Sequence, residues 1–205
     1  MQELGLTTAS TVLDLAAGTG NLTKALRERF AHVSAVEPDA GMRAQFDGEV
    51  LAGTAEAIPL EDRCVDAVFV GEAFHWFDPG QALAEIDRVS RGTAILARSW
   101  GETEQPGLLP PSFWGELSEI WRRFHGEATR RDFPDWRDTV QPDGPVRFEE
   151  TVRISGRDLV DLQLTSSTVA SIADDERAAV AARAYPLMDD AYEMRVATEL
   201  YWLRF

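Results

Sequence analysis

The chain has 205 residues, of which 44% are hydrophobic and 27% charged, and these values are typical of one globular domain with a full core. Its formal net charge of −15 disfavours nucleic acid or an anionic membrane surface as a partner, because both carry negative charge. A single cysteine, Cys64, excludes a disulfide framework and a cysteine-based metal site, and we expect no metal. We expect a cytoplasmic protein, since no apolar run approaches the ~20 residues that cross a bilayer and no targeting signal precedes the first strand.

Strand-like and helix-like segments alternate along the first half of the chain. Short apolar runs predict buried parallel strands, and amphipathic stretches such as NLTKALRERF predict helices between them. This alternation is typical of parallel βαβ units and predicts an α/β fold, an open sheet with helices on both faces. The predicted strands are 11–16, 32–37, 49–56, 65–71 and 93–98, and the predicted helical segments are 21–30, 39–46 and 78–92.

The segment DPGQALAEIDRVSRG carries clear signals for the start and end of a helix. Asp78 is a suitable N-cap, Pro79 fits the first helical position, and Gln81 stands where a capping box needs it. Gly92 then follows as a C-cap. The stripe that we predict to be buried consists of Leu83, Ile86 and Val89.

The second half of the chain departs from this alternation. Residues 101–145 hold four prolines before Pro142 together with three tryptophans, and they interrupt the strand–helix pattern. We interpret this stretch as a lid or substrate-side insertion within a single domain, 1–205. The row of tryptophans is alternatively a helix-packing face or a homodimer contact. Beyond it we predict a strand at 146–155, helices at 158–170 and 174–188, and a closing strand at 192–205.

The stretch VLDLAAGTGNLT leads a strand through a glycine turn into a helix. The dinucleotide fingerprint G-x-G-x-x-G needs glycine at three places, and here Gly18 and Gly20 supply two while Thr23 occupies the third. A diphosphate needs free N–H groups at the helix start, whereas S-adenosylmethionine carries no phosphate and needs only a close backbone approach. The turn therefore favours S-adenosylmethionine over a nicotinamide dinucleotide.

Two acidic residues accompany this turn. Glu37 ends the second predicted strand, 19 positions after Gly18, and is placed to accept hydrogen bonds from ribose hydroxyls, as in both NAD and adenosylmethionine enzymes. Asp14, inside the first strand, adds a negative charge near a cationic ligand, and a buried aspartate needs a partner. The alternatives are a solvated strand-end acid for Glu37 and, for Asp14, a structural role in binding the N–H groups of the turn.

Four ordered motifs resemble those of class I S-adenosylmethionine-dependent methyltransferases: VLDLAAGTGNLT, VEPDAGM, GTAEAIPLEDRCVDAVFVGEAFHWF and the fifth predicted strand. The motifs most resemble the small-molecule branch that includes ubiquinone/menaquinone C-methyltransferases and trans-aconitate-type methyltransferases, and AFHWF is similar to a stretch in many members of the latter type. The resemblance covers residues 11–100 and implies a Rossmann-like, seven-stranded, mostly parallel sheet with an antiparallel closing strand. It also implies S-adenosyl-L-methionine as cofactor and in-line methyl transfer to a small-molecule acceptor.

The resemblance implies cofactor contacts residue by residue. The glycine turn would surround the methionine part, Glu37 would bind the ribose, and the residues after it and the loop after the third strand would meet the adenine. Ala16 stands where a glycine is usual, and Thr54 stands where an aspartate is common. The implied cofactor-binding residues are Asp14, Ala16, Gly18, Gly20, Glu37, Pro38, Met42, Thr54, Ala55, Glu56 and Gly71.

Candidate catalytic residues follow the fourth predicted strand, in GEAFHWFD. His75 is the first candidate base, because an imidazole with an ordinary pKa of about 6.5 can remove a proton near neutral pH. Glu72 is the second candidate. The alternatives are a histidine bonded to backbone and an exposed loop carboxylate. The expected substrate-side residues, which would otherwise serve as packing residues, are Phe74, Trp76, Trp100 and Trp114.

Two other function classes stay open at the level of sequence. An NAD(P)-dependent oxidoreductase shares the first strand, the turn and the acid at Glu37, although Thr23 and GTAEAIP disfavour it. A binding or regulatory protein without turnover would keep the same fold. Only about ten residues precede Val12, where relatives carry further helices, so we expect weaker cofactor binding than in those relatives.

Overall fold

A computed structural model describes residues 5–102, 111–125, 136–164 and 172–205. The predicted lid, 101–145, and the end of the predicted helix 158–170 therefore lie partly outside the described residues. The chain divides into two compact units, one of 1–99, 134–147 and 198–205, and one of 100–133 and 148–197. The single domain and its lid stay predictions.

The first four strands have two to six residues each, and the last three have ten or more. The third strand is much shorter than predicted, because the chain turns directly after it: Thr54 and Ala57 form an antiparallel bridge. The strands are β1 Thr11–Leu15, β2 His32–Glu37, β3 Leu51–Ala52, β4 Ala67–Gly71, β5 Thr93–Glu102, β6 Asp143–Ile154 and β7 Tyr192–Arg204.

The helices begin close to their predicted starts, but several end earlier. The predicted helix 174–188 ends at Ala184, and a short 3-10 turn, Tyr185–Leu187, follows because Pro186 has no N–H to continue the helix. The 15-residue helix Pro111–His125 falls in the stretch interpreted only as a lid. The helices are α1 Asn21–Arg27, α2 Ala40–Arg43, α3 Pro79–Val89, α4 Pro111–His125, α5 Trp136–Val140, α6 Gly156–Leu164 and α7 Asp174–Ala184.

The strand order is β3-β2-β1-β4-β5-β7-β6. Strands β2, β1, β4 and β5 pair in parallel, and the two-residue β3 joins β2 at one edge. The α/β class with a mostly parallel sheet is confirmed. The predicted sheet of six parallel strands and one antiparallel closing strand needs correction, because parallel pairing among the described residues is limited to β1, β2, β4, β5 and the short edge strand β3. Instead β6 and β7 form an antiparallel pair, in which Gly144 lies against Leu200 and Arg147 lies 3.9 Å from Glu199.

Helices cover both faces of the parallel sheet. Alternate residues of a strand point to opposite faces, and Val12 packs in a cluster with Leu26 of α1. Leu13 and Leu15 pack on the other face in a cluster with Ile86 of α3. Full burial of each of these side chains stabilises the fold by roughly 1.5–3 kcal/mol. The core therefore fixes β1 between two helices and directs its carboxyl end to one edge of the sheet.

Helix α3 forms as its capping residues predict. The Asp78 side chain accepts a hydrogen bond from the N–H of Gln81 at 2.9 Å, and Pro79 opens the helix. Ile86 and Val89 are fully buried, whereas Leu83 is only partly buried and Ala82 completes the buried face. This helix follows β4 and packs in one core cluster with residues of β1 and β4.

The second unit has a core of its own, built from α4, α6, α7 and the outer parts of β6 and β7. Phe113 of α4, Val160 of α6 and Val180 of α7 are among its buried residues. The side chain of Glu116 on α4 pairs with Arg183 on α7 at 2.8 Å.

Among the described residues, no helix is long and apolar enough to cross a membrane.

Candidate functional site

The glycine turn, residues 16–20, joins the carboxyl end of β1 to the start of α1. Three of its residues have left-handed backbone, with φ of 58° at Ala16, 58° at Gly18 and 95° at Gly20. The N–H of Ala17 donates to the carbonyl of Val36 at 3.0 Å, which ties the turn to the neighbouring strand. The turn is therefore a defined backbone structure, and Ala16 holds a conformation that glycine adopts more easily.

The carboxylate of Glu37 lies directly beside this turn. One oxygen, Oε2, accepts a hydrogen bond from the N–H of Gly18 at 2.8 Å, and Oε1 accepts one from the N–H of Asp39 at 2.8 Å. The residue is buried, and the parallel register that places Leu15 beside Val36 brings the two strand ends together. An ionised carboxylate has about four lone-pair positions, so about two stay available to a ligand hydroxyl.

Asp14 and Thr23 form a buried pair beneath the turn. The Thr23 hydroxyl donates to Asp14 Oδ2 at 2.5 Å, and both residues are at most 1% exposed. Burial raises the pKa of Asp14 from 3.8 to about 6, while the hydrogen bond from Thr23 lowers it in part. Sequence reasoning compared Thr23 only with a missing glycine and did not find this bond. Thr23 lies in the first turn of α1, and neither residue type alone indicates the other as its partner.

The segment after β2 packs against the glycine turn from outside. Asp39 caps α2 by accepting a hydrogen bond from the N–H of Met42 at 2.7 Å. The sulfur of Met42 lies 3.8 Å from the position of a Cβ on Gly18, and Phe46 Cε2 lies 2.9 Å from that on Gly20. Any side chain at Gly20 would therefore collide with Phe46. Pro38 lies between Glu37 and this segment, and its carbonyl accepts a hydrogen bond from Arg43 at 2.6 Å.

The loop 53–60 leaves β3 at the same edge of the sheet. Its turn is closed by a hydrogen bond from the N–H of Ala57 to the carbonyl of Thr54 at 3.3 Å. Ala55 is buried in the core cluster, and Glu56 Oε1 accepts a hydrogen bond from the N–H of Asp78 at 3.0 Å. The loop is therefore attached both to the core and to the start of α3.

The end of β4 carries the candidate bases. Gly71 ends the strand, and Glu72 follows with a left-handed φ of 58°, a strained conformation of the kind found at functional sites. His75 and Trp76 lie in the 3-10 turn Phe74–Trp76, with ring centroids 4.7 Å apart. His75 is partly buried and Trp76 is 44% exposed. Two titratable groups and an exposed aromatic ring therefore follow the strand directly.

Phe74 lies in the core, at 3% exposure. Its ring lies 5.3 Å from that of Trp136 and 5.4 Å from that of Phe77. The 3-10 turn therefore directs the Phe74 side chain into the core, and its role on the substrate side stays a prediction. Trp100 belongs to β5 and Trp114 to α4, and both side chains lie outside the part of the structure that is described. Among the described residues, no group of three or more His, Cys, Asp or Glu side chains is arranged to hold a metal ion.

Comparison with known proteins assigns this arrangement to a family. Residues 13–97 match the family described as a methyltransferase domain. The chain is 38% identical over 168 residues to the uncharacterized methyltransferase Rv3342 of Mycobacterium tuberculosis, and the match covers 80% of this chain. The matched region spans only 64% of the length of that relative.

Two further proteins are similar over part or all of the chain. A malonyl-[acyl-carrier protein] O-methyltransferase of Pectobacterium atrosepticum is 33% identical over 130 residues, or 60% of this chain and 48% of the relative. The structure of a candidate type II methyltransferase from Anaeromyxobacter dehalogenans shares the fold with a TM-score of 0.59 at 21% identity, covering 99% of this chain and 94% of the other. Residues 13–97, which hold the glycine turn, Glu37 and the end of β4, match the methyltransferase-domain family, and this match confirms the resemblance to class I S-adenosylmethionine-dependent methyltransferases.

Proposed function

We propose that this protein transfers a methyl group from S-adenosyl-L-methionine to a small-molecule acceptor. The observation that carries the proposal is the hydrogen bond of 2.8 Å between the Gly18 N–H and the Glu37 carboxylate. It places an acid with about two remaining acceptor positions against a turn that contains Gly18 and Gly20. Ribose hydroxyls and an amino-acid tail are the groups that such a pair recognises.

In this proposal, three segments of the first unit would hold the cofactor. Residues 16–20 would hold the methionine part, with Gly71 at the end of the neighbouring strand β4. Glu37 would bind the ribose hydroxyls through its remaining acceptor positions. The adenine would lie between the segment after Glu37 and the loop 53–60, which carry Pro38, Met42, Thr54, Ala55 and Glu56.

The same residues disfavour a dinucleotide. The position of the third fingerprint glycine is Thr23, which is fully buried and donates its hydroxyl to Asp14. The Asp14 carboxyl lies under the start of α1, where a diphosphate would need a positive environment. Burial raises the pKa of Asp14 to about 6, and in its ionised form this carboxyl repels phosphate and attracts a cation.

S-adenosylmethionine supplies an electrophilic methyl group on a positively charged sulfur, so the protein mainly has to orient the acceptor. Correct orientation of two reacting groups lowers the activation free energy by about 7–11 kcal/mol. An acceptor that carries a proton must lose it, and His75 or Glu72 at the end of β4 would take that proton. A carboxylate acceptor needs no base, and carboxylic acids belong among the candidates because the Pectobacterium relative is named as an O-methyltransferase of a malonyl group.

Methyl-labelled S-adenosylmethionine tests the proposal with a panel of hydroxylated, carboxylated and amine acceptors. We expect label in at least one acceptor class and a loss of about 10²–10⁴-fold in rate for His75→Ala when that acceptor carries a proton. Label transfer with an unchanged rate in His75→Ala and Glu72→Gln would remove both residues from the role of base. Tight binding of adenosylhomocysteine without transfer to any member of the panel would contradict turnover and favour a binding protein.

A further inference from the structure

Arg88 on α3 donates several hydrogen bonds to the loop 53–60 and to the residues after it. Its Nη2 donates to the carbonyl of Ile58 at 2.8 Å, and its Nη1 donates to the carbonyl of Leu60 at 2.8 Å. Nη1 also donates to the exposed carboxylate of Asp62 at 2.8 Å. Backbone carbonyls gain a charged donor in this way, and such bonds are stronger than those between neutral groups.

Glu85, one turn earlier on α3, completes the contact. Its two oxygens accept from Nε and Nη2 of Arg88, each at 2.7 Å, in a bidentate pair. Oε2 also accepts a hydrogen bond from the N–H of Ile58 at 2.9 Å. The hydrogen bonds from Arg88 lower the pKa of Glu85, so the carboxylate stays ionised at neutral pH. The N–H and the carbonyl of Ile58 are therefore both bound by one side-chain pair.

The loop is held at its tip and on both sides of it. Ala55 and Ile58 are buried in the core, and Pro59 lies so close to Gly53 that a Cβ there would be 2.5 Å from it. Glu56 accepts a hydrogen bond from the start of α3. The tip, residues 54–56, therefore lies between the end of β3 and the Ile58 anchor, and its position depends on α3.

We propose that Glu85 and Arg88 are positioning residues that hold the tip 54–56 in the shape needed to recognise the adenine edge of the cofactor. The proposal rests on the proposed function, because an adenine ligand follows from that function. The pair acts through the backbone of Ile58 and does not touch the ligand. An adenine edge presents an amine donor and ring acceptors. A shift of the tip therefore weakens both the binding of the cofactor and the discrimination of adenine from other bases.

Calorimetric titration of the full chain with S-adenosylhomocysteine and S-inosylhomocysteine tests this proposal. The inosyl compound has a carbonyl where adenine has its amine, so the ratio of the two Kd values measures recognition of the edge. We expect Glu85→Gln to raise the Kd for adenosylhomocysteine about tenfold, equal to about 1.4 kcal/mol, and to bring the ratio towards one. Arg88→Lys should act in the same direction, because an ammonium group cannot make the bidentate pair.

Asp87→Asn is the matched control. It removes one negative charge from the same helix, but Asp87 pairs with Arg63 at 3.0 Å on the exposed surface and is 43% exposed. We expect its two Kd values to equal those of the wild type. Circular dichroism shows which variants fold, and Glu85→Gln, which changes one atom, keeps the test available if Arg88→Lys does not fold.

The outcomes separate this proposal from the proposed function. Failure of the wild type to bind adenosylhomocysteine would overturn the proposed function and this proposal with it. Wild-type binding with unchanged Kd values and an unchanged ratio in folded Glu85→Gln would overturn only the positioning role. Equal losses in Glu85→Gln and Asp87→Asn would also overturn it, because a general effect of charge would then explain the result.

Discussion

The backbone N–H of Gly18 donates a hydrogen bond to the carboxylate of Glu37 at 2.8 Å. This contact joins the turn after β1 to the last residue of β2. The parallel register of the two strands places their carboxyl ends side by side and so brings the two groups together. The buried carboxylate thereby shapes the turn before any ligand arrives. The same side chain would both order the glycine turn and bind ribose in the proposed function.

Glu37→Gln should weaken cofactor binding more than it weakens the fold. An amide has one acceptor oxygen, so its NH₂ group would face either the Gly18 or the Asp39 N–H, and it loses the charge that strengthens bonds to ribose. We expect the Kd for adenosylhomocysteine to rise about 10- to 100-fold, as for the loss of a charged hydrogen bond. Calorimetric titration measures it, with Glu49→Gln as an exposed control, and an unchanged Kd in the folded variant would contradict the ribose role.

Thr23→Val should destabilise the protein, since it keeps the shape of the side chain but removes the hydroxyl that donates to Asp14. A buried carboxyl that loses its donor costs about 1–3 kcal/mol. Thr23→Ser keeps the donor and should lose less, about 1 kcal/mol for a small cavity. Urea unfolding measures both. Equal losses of unfolding free energy in the two variants would show that Thr23 stabilises the protein through packing and not through its hydrogen bond.

Asp14 predicts a pH dependence of stability. Its pKa is about 6 in the folded protein and close to 3.8 when unfolded, so the folded state binds more protons between these values. The contribution of Asp14 to the free energy of unfolding is therefore fully present below about pH 4 and is lost as the pH rises through about 6. The expected change is about 2–3 kcal/mol. Asp14→Asn, which is always neutral, should gain stability relative to the wild type by this amount between pH 4 and pH 8. Urea unfolding at both pH values checks it, and a constant difference would contradict the raised pKa.

Ala16→Gly should leave the protein as stable as the wild type or raise its stability by up to about 1 kcal/mol. Left-handed backbone at alanine costs about 1–2 kcal/mol, whereas glycine loses about 0.5–1 kcal/mol through its greater freedom when unfolded. The comparison is Ala17→Gly, because Ala17 is not among the residues with positive φ. We expect thermal unfolding to show a loss of about 0.5–1 kcal/mol for that control. A similar loss at both positions would mean that Ala16 is unstrained.

The sequence predicted the features that depend on local signals. Helix α3 has its N-cap at Asp78 and its buried Ile86 where the pattern indicated them, because capping and periodicity act within one helix. The glycine turn and Glu37 lie at one edge because parallel strands align their carboxyl ends. That edge could be predicted without knowledge of the packing.

Features that depend on packing could not be predicted in this way. The third strand is only Leu51–Ala52, since contact between Gly53 and Pro59 turns the chain early. The contact of Phe74 with Trp136, with ring centroids 5.3 Å apart, joins residues that are distant in sequence, so no local pattern indicates it. The Asp14–Thr23 bond connects two elements, and neither residue type alone indicates the other.

The central claim is that the carboxyl edge accepts an adenosine attached to a thioether and has no place for a diphosphate. Calorimetric titration of the wild type with adenosylhomocysteine and, separately, with NADH tests it most directly. We predict saturable binding of adenosylhomocysteine and no binding of NADH at the same concentration. Saturable binding of NADH, or no binding of adenosylhomocysteine, would contradict it.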